Sequence, residues 1–222
     1  MTVALEVKIC GINSRAALDQ AAKGGARYVG FVFYARSPRH VTPAQAGAFA
    51  RATPKGIVRV GLMVDADDEF IASALAEAPL EMLQLHGAET PARAAAIKAR
   101  FGVSVMKAIK LAEHGDLDHA RAYFGHVDRL LFDAKAPATM TGALPGGNAL
   151  AFDWTILRHA RVLADPGAPA WMLSGGLTPE NLAEAARVTG ACAVDVSSGV
   201  EDAPGHKSPA RIAAFLAAAA AL

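Results

Sequence analysis

Short β-rich runs alternate with alanine- and leucine-rich stretches from one end of the chain to the other. The strand candidates are residues 5–9, 28–33, 57–64, 82–85, 104–109, 129–132, 171–173 and 193–196. Their starts lie roughly 20 to 30 residues apart, the length of one βα unit, with one wider gap of about 42 between the sixth and seventh. Helical patterns fill the intervals, among them 14–23, 43–51, 67–77 and 91–100. Thr42-Pro43, Thr90-Pro91, Thr178-Pro179 and Ser208-Pro209 repeat one helix-start signal. The hydroxyl accepts an orphan backbone N–H, and proline has no N–H to leave unpaired.

Eight strands, each followed by a helix, predict an α/β protein of the (β/α)8 class, a TIM barrel of the phosphate-binding type. A doubly wound open sheet is the competing architecture, but it uses fewer strands and different loops. The glycine-rich segment 140–148 reads as a loop inserted after the sixth strand, and the alanine-rich tail as the eighth helix. No linker or composition shift divides the 222 residues, so one barrel domain over 1–222 is expected.

Composition narrows the class. Lys and Arg number 22 against 21 Asp and Glu, a net charge of +1, which removes the basic footprint of a nucleic-acid binder. The 53% apolar content excludes disorder, yet no apolar run approaches the ~20 residues a bilayer requires. No basic segment precedes an apolar one at the start, so no secretory signal is expected. Cys10 and Cys192 do not make a disulfide framework. The expectation is a soluble protein of a reducing compartment, the cytoplasm, with neither nucleic acid nor membrane as partner. Monomer and homodimer both remain open.

Catalytic groups in such a barrel come from the C-terminal strand ends and the loops beyond them. Those positions hold Cys10, Arg39, Asp65, His86, Lys110, Asp133, Ser174 and Asp195, while the strand bodies are mostly apolar. Side chains alternate along a strand, so Val7 and Ile9 face the helices, and Lys8 and Cys10 face the barrel interior. A lysine beside a thiol favours thiolate. Cys192 shares parity with Val194 and Val196 and reads as packing. Asp195 points inward from between those valines, where a charge must be paired, and Lys8 is its possible partner across the seam between strands one and eight. Asp133 ends strand six before a long loop, which weakens a helix-capping account. Gln84 and His86 share the inward parity opposite Leu83 and Leu85. Arg36 and Arg39, in a loop stiffened by Pro38, suggest a carboxylate or phosphate clamp. Ser174-Gly175-Gly176 and Ser197-Ser198-Gly199 follow strands seven and eight, where backbone N–H groups can approach an anion. No metal-ligand spacing is present. These residues imply a cofactor-free enzyme that moves protons on a small phosphorylated substrate.

At these residues the sequence resembles the phosphoribosylanthranilate isomerase family. The matching segments are Val7-Lys8-Ile9-Cys10-Gly11-Ile12, Gly30-Phe31-Val32-Phe33 with Ser37-Pro38-Arg39, Gln84-Leu85-His86-Gly87, and Phe132-Asp133-Ala134-Lys135. Phe152-Asp153-Trp154, Leu173-Ser174-Gly175-Gly176-Leu177 with Pro179-Glu180-Asn181, and Val194-Asp195-Val196-Ser197-Ser198-Gly199-Val200-Glu201 follow in the family's order. The resemblance implies an Amadori rearrangement in tryptophan biosynthesis, with Cys10 as general base and Asp133 as general acid. It implies that Arg39 binds the anthranilate carboxylate, that Asp195 orients groups or balances charge, and that the two glycine–serine loops hold the phosphate. Lys8, Gln84 and His86 join Arg39 and Asp195 as candidates for substrate binding. The loop 136–150, longer than in the shortest members and carrying Gly146-Gly147, is expected to fold over the substrate as a lid. The alternatives are the related aminoaldose isomerase of histidine biosynthesis and a barrel that binds a phosphorylated metabolite without catalysis.

Overall fold

The computed structural model describes residues 4–136, 144, 146–147, 152–158 and 160–222. Strands β1 (Glu6–Cys10), β2 (Tyr28–Phe33), β3 (Val58–Met63), β4 (Met82–Leu85), β5 (Ser104–Leu111), β6 (Arg129–Ala134), β7 (Ala170–Leu173) and β8 (Ala193–Val196) close in chain order into one barrel. Every barrel pairing is parallel. Helices α1 (Arg15–Lys23), α2 (Pro43–Ala52), α3 (Asp68–Glu77), α4 (Pro91–Phe101), α5 (Asp118–Arg121), α6 (Thr155–Arg158), α7 (Leu182–Thr189) and α8 (Pro209–Ala220) alternate with the strands. The expected barrel is the observed one. None of the described helices is long and apolar enough to cross a membrane.

Local chemistry explains the helix starts. Thr42 Oγ1 accepts from Gln45 N while Gln45 Oε1 accepts from Thr42 N, a reciprocal capping box. Thr90 and Ser208 cap α4 and α8 with one bond each, accepting from Arg93 N and Arg211 N. The Thr178-Pro179 signal needs correction, because α7 begins at Leu182 with Asn181 at its N-cap. Asn181 Oδ1 takes the Thr178 N–H and its Nδ2 donates to Gly176 O, so a turn occupies the residues where a helix start was expected.

The strand alternation builds two cores. Val7, Ile9, Val29, Phe31, Leu83, Leu85, Leu130, Phe132, Val194 and Val196 pack outward against the helices. Tyr28, Val60, Met82, Met106, Ala108, Leu131, Met172 and Ala193 fill the barrel interior. At the N-terminal end Tyr28 Oη donates to Glu6 Oε2 at 2.9 Å, and Arg129 donates to both.

The barrel closes where β1 meets β8, in a register that sets Lys8 opposite Asp195. Lys8 is fully buried, and its Nζ lies 2.7 Å from Asp195 Oδ1, which forms the expected partnership. Asp195 Oδ2 accepts from Ser174 Oγ at 3.2 Å, tying β7 to the same carboxylate. Gly30 makes room for this seam. A Cβ there would lie 3.1 Å from Lys8 Nζ and 3.2 Å from Cys10 Sγ.

Removing one partner of a buried pair leaves the other charge uncompensated, a loss of about 3–5 kcal/mol. Asp195→Ala should therefore lower stability by about that amount in chemical denaturation. Lys8→Met combined with Asp195→Leu should cost far less, because no buried charge remains. Equal losses in the two variants would contradict this reading.

Candidate active site

The C-terminal ends of the strands surround a cavity of about 750 Å³, measured to include its open mouth. Cys10, Arg39, Gln84, His86, Asp133, Ser174, Gly175, Gly176, Asp195, Ser197 and Ser198 all line it. Gly199 lies behind the lining, packed so tightly that a Cβ would meet Leu177 O. Lys8 also lies outside it, beneath Cys10. Asp65 and Lys110 are not in the lining either: Asp65 accepts from Ala88 N, and Lys110 is exposed. Cys192 corrects the packing expectation. It precedes β8 by one residue and is exposed.

Cys10 ends β1 with its thiol buried at the cavity wall. Burial pushes this thiol up from its ordinary value, and the neighbouring Lys8 ammonium pulls the other way without overcoming it. Lys8 itself sits above the usual lysine range, because Asp195 and Cys10 outweigh the cost of its burial. The lysine hydrogen-bonds to the Asp195 carboxylate, and its charge also acts on the neighbouring thiol. The resting thiol therefore keeps its proton more firmly than a solvated one.

Asp133 is the penultimate residue of β6, three strands from β1 around the barrel. Its Oδ1 accepts from Ala134 N at 3.0 Å, and its Oδ2 lies 3.2 Å from His86 Nε2. His86 Nδ1 in turn lies 2.9 Å from Gln84 Nε2. Gln84 and His86 thus form one buried chain that ends on the carboxylate, and the inward parity of both is what builds it. Gly146, from the loop after β6, presses on its far end. A Cβ there would come within 2.6 Å of His86 Nε2 and 2.8 Å of Asp133 Oδ2. The other residues of the expected lid, apart from Ala136, Leu144 and Gly147, lie outside the described residues.

Arg39 is buried at the other side of the mouth. Its Nε and Nη2 grip Glu201 Oε1 and Oε2 at 2.7 and 2.8 Å, and Nη2 also reaches Gly147 O at 3.3 Å. Glu201 begins a two-stranded hairpin, β9 (Glu201–Ala203) and β10 (His206–Lys207), inserted between β8 and α8. Burial works against the Glu201 charge, but Arg39 and Lys207 outweigh it and hold the carboxyl below its usual range. In the sequence Glu201 falls only within a matching segment, and nothing singles out Lys207. Neither lies at the C-terminal end of a barrel strand, so the rule that found the other residues passes over them.

A thiol and a supported carboxylate at one mouth, beside an arginine and two small-residue loops, define the class of a phosphate-binding barrel equipped for acid–base chemistry. Residues 7–218 match the family described as N-(5'phosphoribosyl)anthranilate (PRA) isomerase. The N-(5'-phosphoribosyl)anthranilate isomerase of Rhodospirillum centenum is 60% identical over 218 residues, covering 98% of this chain and 99% of the relative. That of Paracoccus denitrificans is 52% identical, covering 99% of each. The crystal structure of phosphoribosyl anthranilate isomerase from Thermotoga maritima superimposes with a TM-score of 0.85 at 34% identity, covering 98% of this chain and 100% of that one. A structure of the isomerase in complex with reduced 1-(o-carboxyphenylamino)-1-deoxyribulose 5-phosphate gives 0.82 at 32% identity, with the same coverage. The chain belongs to the phosphoribosylanthranilate isomerase family.

Because burial raises the Cys10 thiol, the thiolate population should appear only as pH climbs past the ordinary value of about 8.5. In a Cys192→Ser background, the rate of Cys10 alkylation should rise with pH and reach its midpoint above that value. A midpoint well below it would mean that Lys8 dominates after all.

Proposed function

We propose that the chain catalyses the Amadori rearrangement of N-(5-phosphoribosyl)anthranilate to 1-(2-carboxyphenylamino)-1-deoxyribulose 5-phosphate, an aldose–ketose isomerisation in tryptophan biosynthesis. The observation that carries the reading is that Cys10 and Asp133, three strands apart, face one cavity whose wall also includes Arg39. Their separation leaves room for a substrate between two proton-handling groups.

Asp133 is the general acid. Its proton passes to the furanose ring oxygen, the C1′–O bond breaks, and the anilino nitrogen's lone pair forms the C1′=N bond of a Schiff base. Cys10, as thiolate, then removes the C2′ proton. The C2′ electron pair forms a C1′=C2′ double bond, the C1′=N pair returns to nitrogen, and the enolamine tautomerises to the ketone. Lys8 stabilises the thiolate as it forms, and Asp195 holds Lys8 in place. His86 and Gln84 fix the direction of the Asp133 carboxylate. Arg39 receives the anthranilate carboxylate on the edge that Glu201 leaves open. Ser174, Gly175, Gly176, Ser197, Ser198 and Gly199 form the phosphate site, with Gly175 and Gly176 at positive φ so that backbone N–H groups can turn toward an anion. No cofactor enters these steps.

The reading takes residues 1–222 as one catalytic barrel acting in the cytoplasm on a small phosphorylated substrate, as monomer or homodimer, without nucleic acid or membrane. The histidine-pathway aminoaldose isomerisation is less well supported, because that chemistry resembles a two-aspartate site and β1 here ends in a thiol. A purely metabolite-binding barrel would need the phosphate loops but not the thiol.

Each well-placed proton-transfer group is worth ~10²–10⁴ in rate, or about 3–5 kcal/mol. Cys10→Ala and Asp133→Ala should each lower kcat by that factor with KM modestly changed, in fluorescence-monitored turnover of freshly generated substrate. Arg39→Ala should raise KM at least as strongly as it lowers kcat. Wild-type activity should rise with pH through the Cys10 ionisation. Absence of wild-type turnover would remove the assignment, and full activity of Cys10→Ala would remove the base.

A further inference from the structure

Lys207 is a buried cation at the mouth that the acid–base steps do not touch directly. Its side chain is wholly buried, and its Nζ meets three acceptors: Ser197 O at 2.8 Å, Ser197 Oγ at 3.2 Å and Glu201 Oε1 at 2.7 Å. An ammonium has three N–H donors, so all are used within the protein and none is left for a ligand. The partners belong to two different places. Ser197 opens the loop after β8, one of the two small-residue loops at the mouth. Glu201 is the carboxylate that grips Arg39 through two parallel bonds.

The same hairpin meets the Arg39 loop a second time. Its turn residue Gly205 packs so closely on Pro38 that a Cβ would fall 2.4 Å from Pro38 O, and Gly205 N donates to Glu201 Oε2. Asn13 Nδ2 holds Gly205 O at 2.7 Å from the loop after β1. The hairpin is therefore fastened to three loops of the mouth. An Arg–carboxylate fork and a three-point ammonium are the strongest and most directional contacts available for that purpose.

We propose that Lys207 and Glu201 are positioning residues that set the distance and orientation between Arg39 and the Ser197 loop, so that the two anionic ends of one substrate are bound together. The inference rests on the reading given under Proposed function, in which Arg39 takes a carboxylate and Ser197 belongs to the phosphate site. Lys207 touches neither end of the substrate. It acts through the groups that do, and a rigid spacing between two charged subsites lowers the ordering cost of binding a ligand that spans them.

The test compares two ligands by calorimetry: reduced 1-(2-carboxyphenylamino)-1-deoxyribulose 5-phosphate and the same molecule lacking the carboxylate. In the wild type, removal of the carboxylate should weaken binding by about tenfold or more. In Lys207→Met the decarboxylated ligand should itself bind about tenfold more weakly than to wild type, and the carboxylate should then add less than about threefold. Arg39→Ala should lose the carboxylate increment alone. Glu201→Gln, which preserves volume, serves if Lys207→Met fails to fold, and should shrink the carboxylate increment while weakening the decarboxylated ligand. An unchanged carboxylate increment in folded Lys207→Met, or in Glu201→Gln in its place, would overturn the proposal, as would a loss confined to thermal stability. A wild type that binds neither ligand, or gains nothing from the carboxylate, would instead overturn the substrate reading on which it stands.

Discussion

Lys8 and Asp195 stand 187 positions apart in the chain and 2.7 Å apart in the barrel. They are the side chains that meet where the first strand closes on the last. A bare charge at that depth would be untenable, so each of the two charges depends on the closure that brings it its partner. Asp195 also takes the Ser174 hydroxyl, and the Lys8 charge also acts on Cys10, so the seam's influence extends to the end of β7 and to the mouth thiol. The same pair gives the future thiolate a cation without exposing that cation to solvent. Gly30 contributes by omission, since any side chain there would crowd both the ammonium and the sulfur.

Above the seam, two hydrogen-bond chains divide the mouth. One runs from Gln84 through His86 to Asp133 and fixes a carboxylate at one wall. The other runs from Arg39 through Glu201 and Lys207 to Ser197 and fixes the arginine and the Ser197 loop at the opposite side. Both are built from buried groups with short, directional contacts, the condition under which a site keeps its geometry while a substrate changes charge. Gly146 and Gly147 come down between them, Gly146 close against His86 and Asp133 and Gly147 at positive φ beside the Arg39 guanidinium. Gly146 abuts the acid chain, and Gly147 abuts Arg39. The loop after β6 thus reaches both halves of the mouth through its two glycines.

The barrel was legible because two periods coincide. Strand starts recur at the length of a βα unit, and parity along each strand assigns inward and outward faces, which the two cores reproduce residue by residue. The same parity brought Cys10, Gln84, Asp133 and Asp195 to the cavity. It had no purchase on Cys192, which stands before the ladder of β8 begins and turns to the surface. It could not supply Glu201 and Lys207, because Arg39 and Glu201 meet across 162 positions through a hairpin that lies outside the barrel repeat. Thr178-Pro179 misled for a local reason: the Asn181 side chain closes a turn onto Thr178 N, and α7 begins only after it. The direction of the Cys10 ionisation was also hidden, since the neighbouring lysine is visible in sequence but the depth of burial that outweighs it is not.

The central claim is that proton donation at the ring oxygen and proton removal at C2′ belong to two different side chains, and the C2′ kinetic isotope effect separates them. Single-turnover fluorescence would be followed with substrate carrying hydrogen or deuterium at C2′, in Cys10→Ala and in Asp133→Ala. The account predicts a primary isotope effect in Cys10→Ala, where removal of the C2′ proton limits the rate. It predicts none in Asp133→Ala, where ring opening limits it. The reverse pattern, or the same effect in both variants, would contradict the assignment of acid and base.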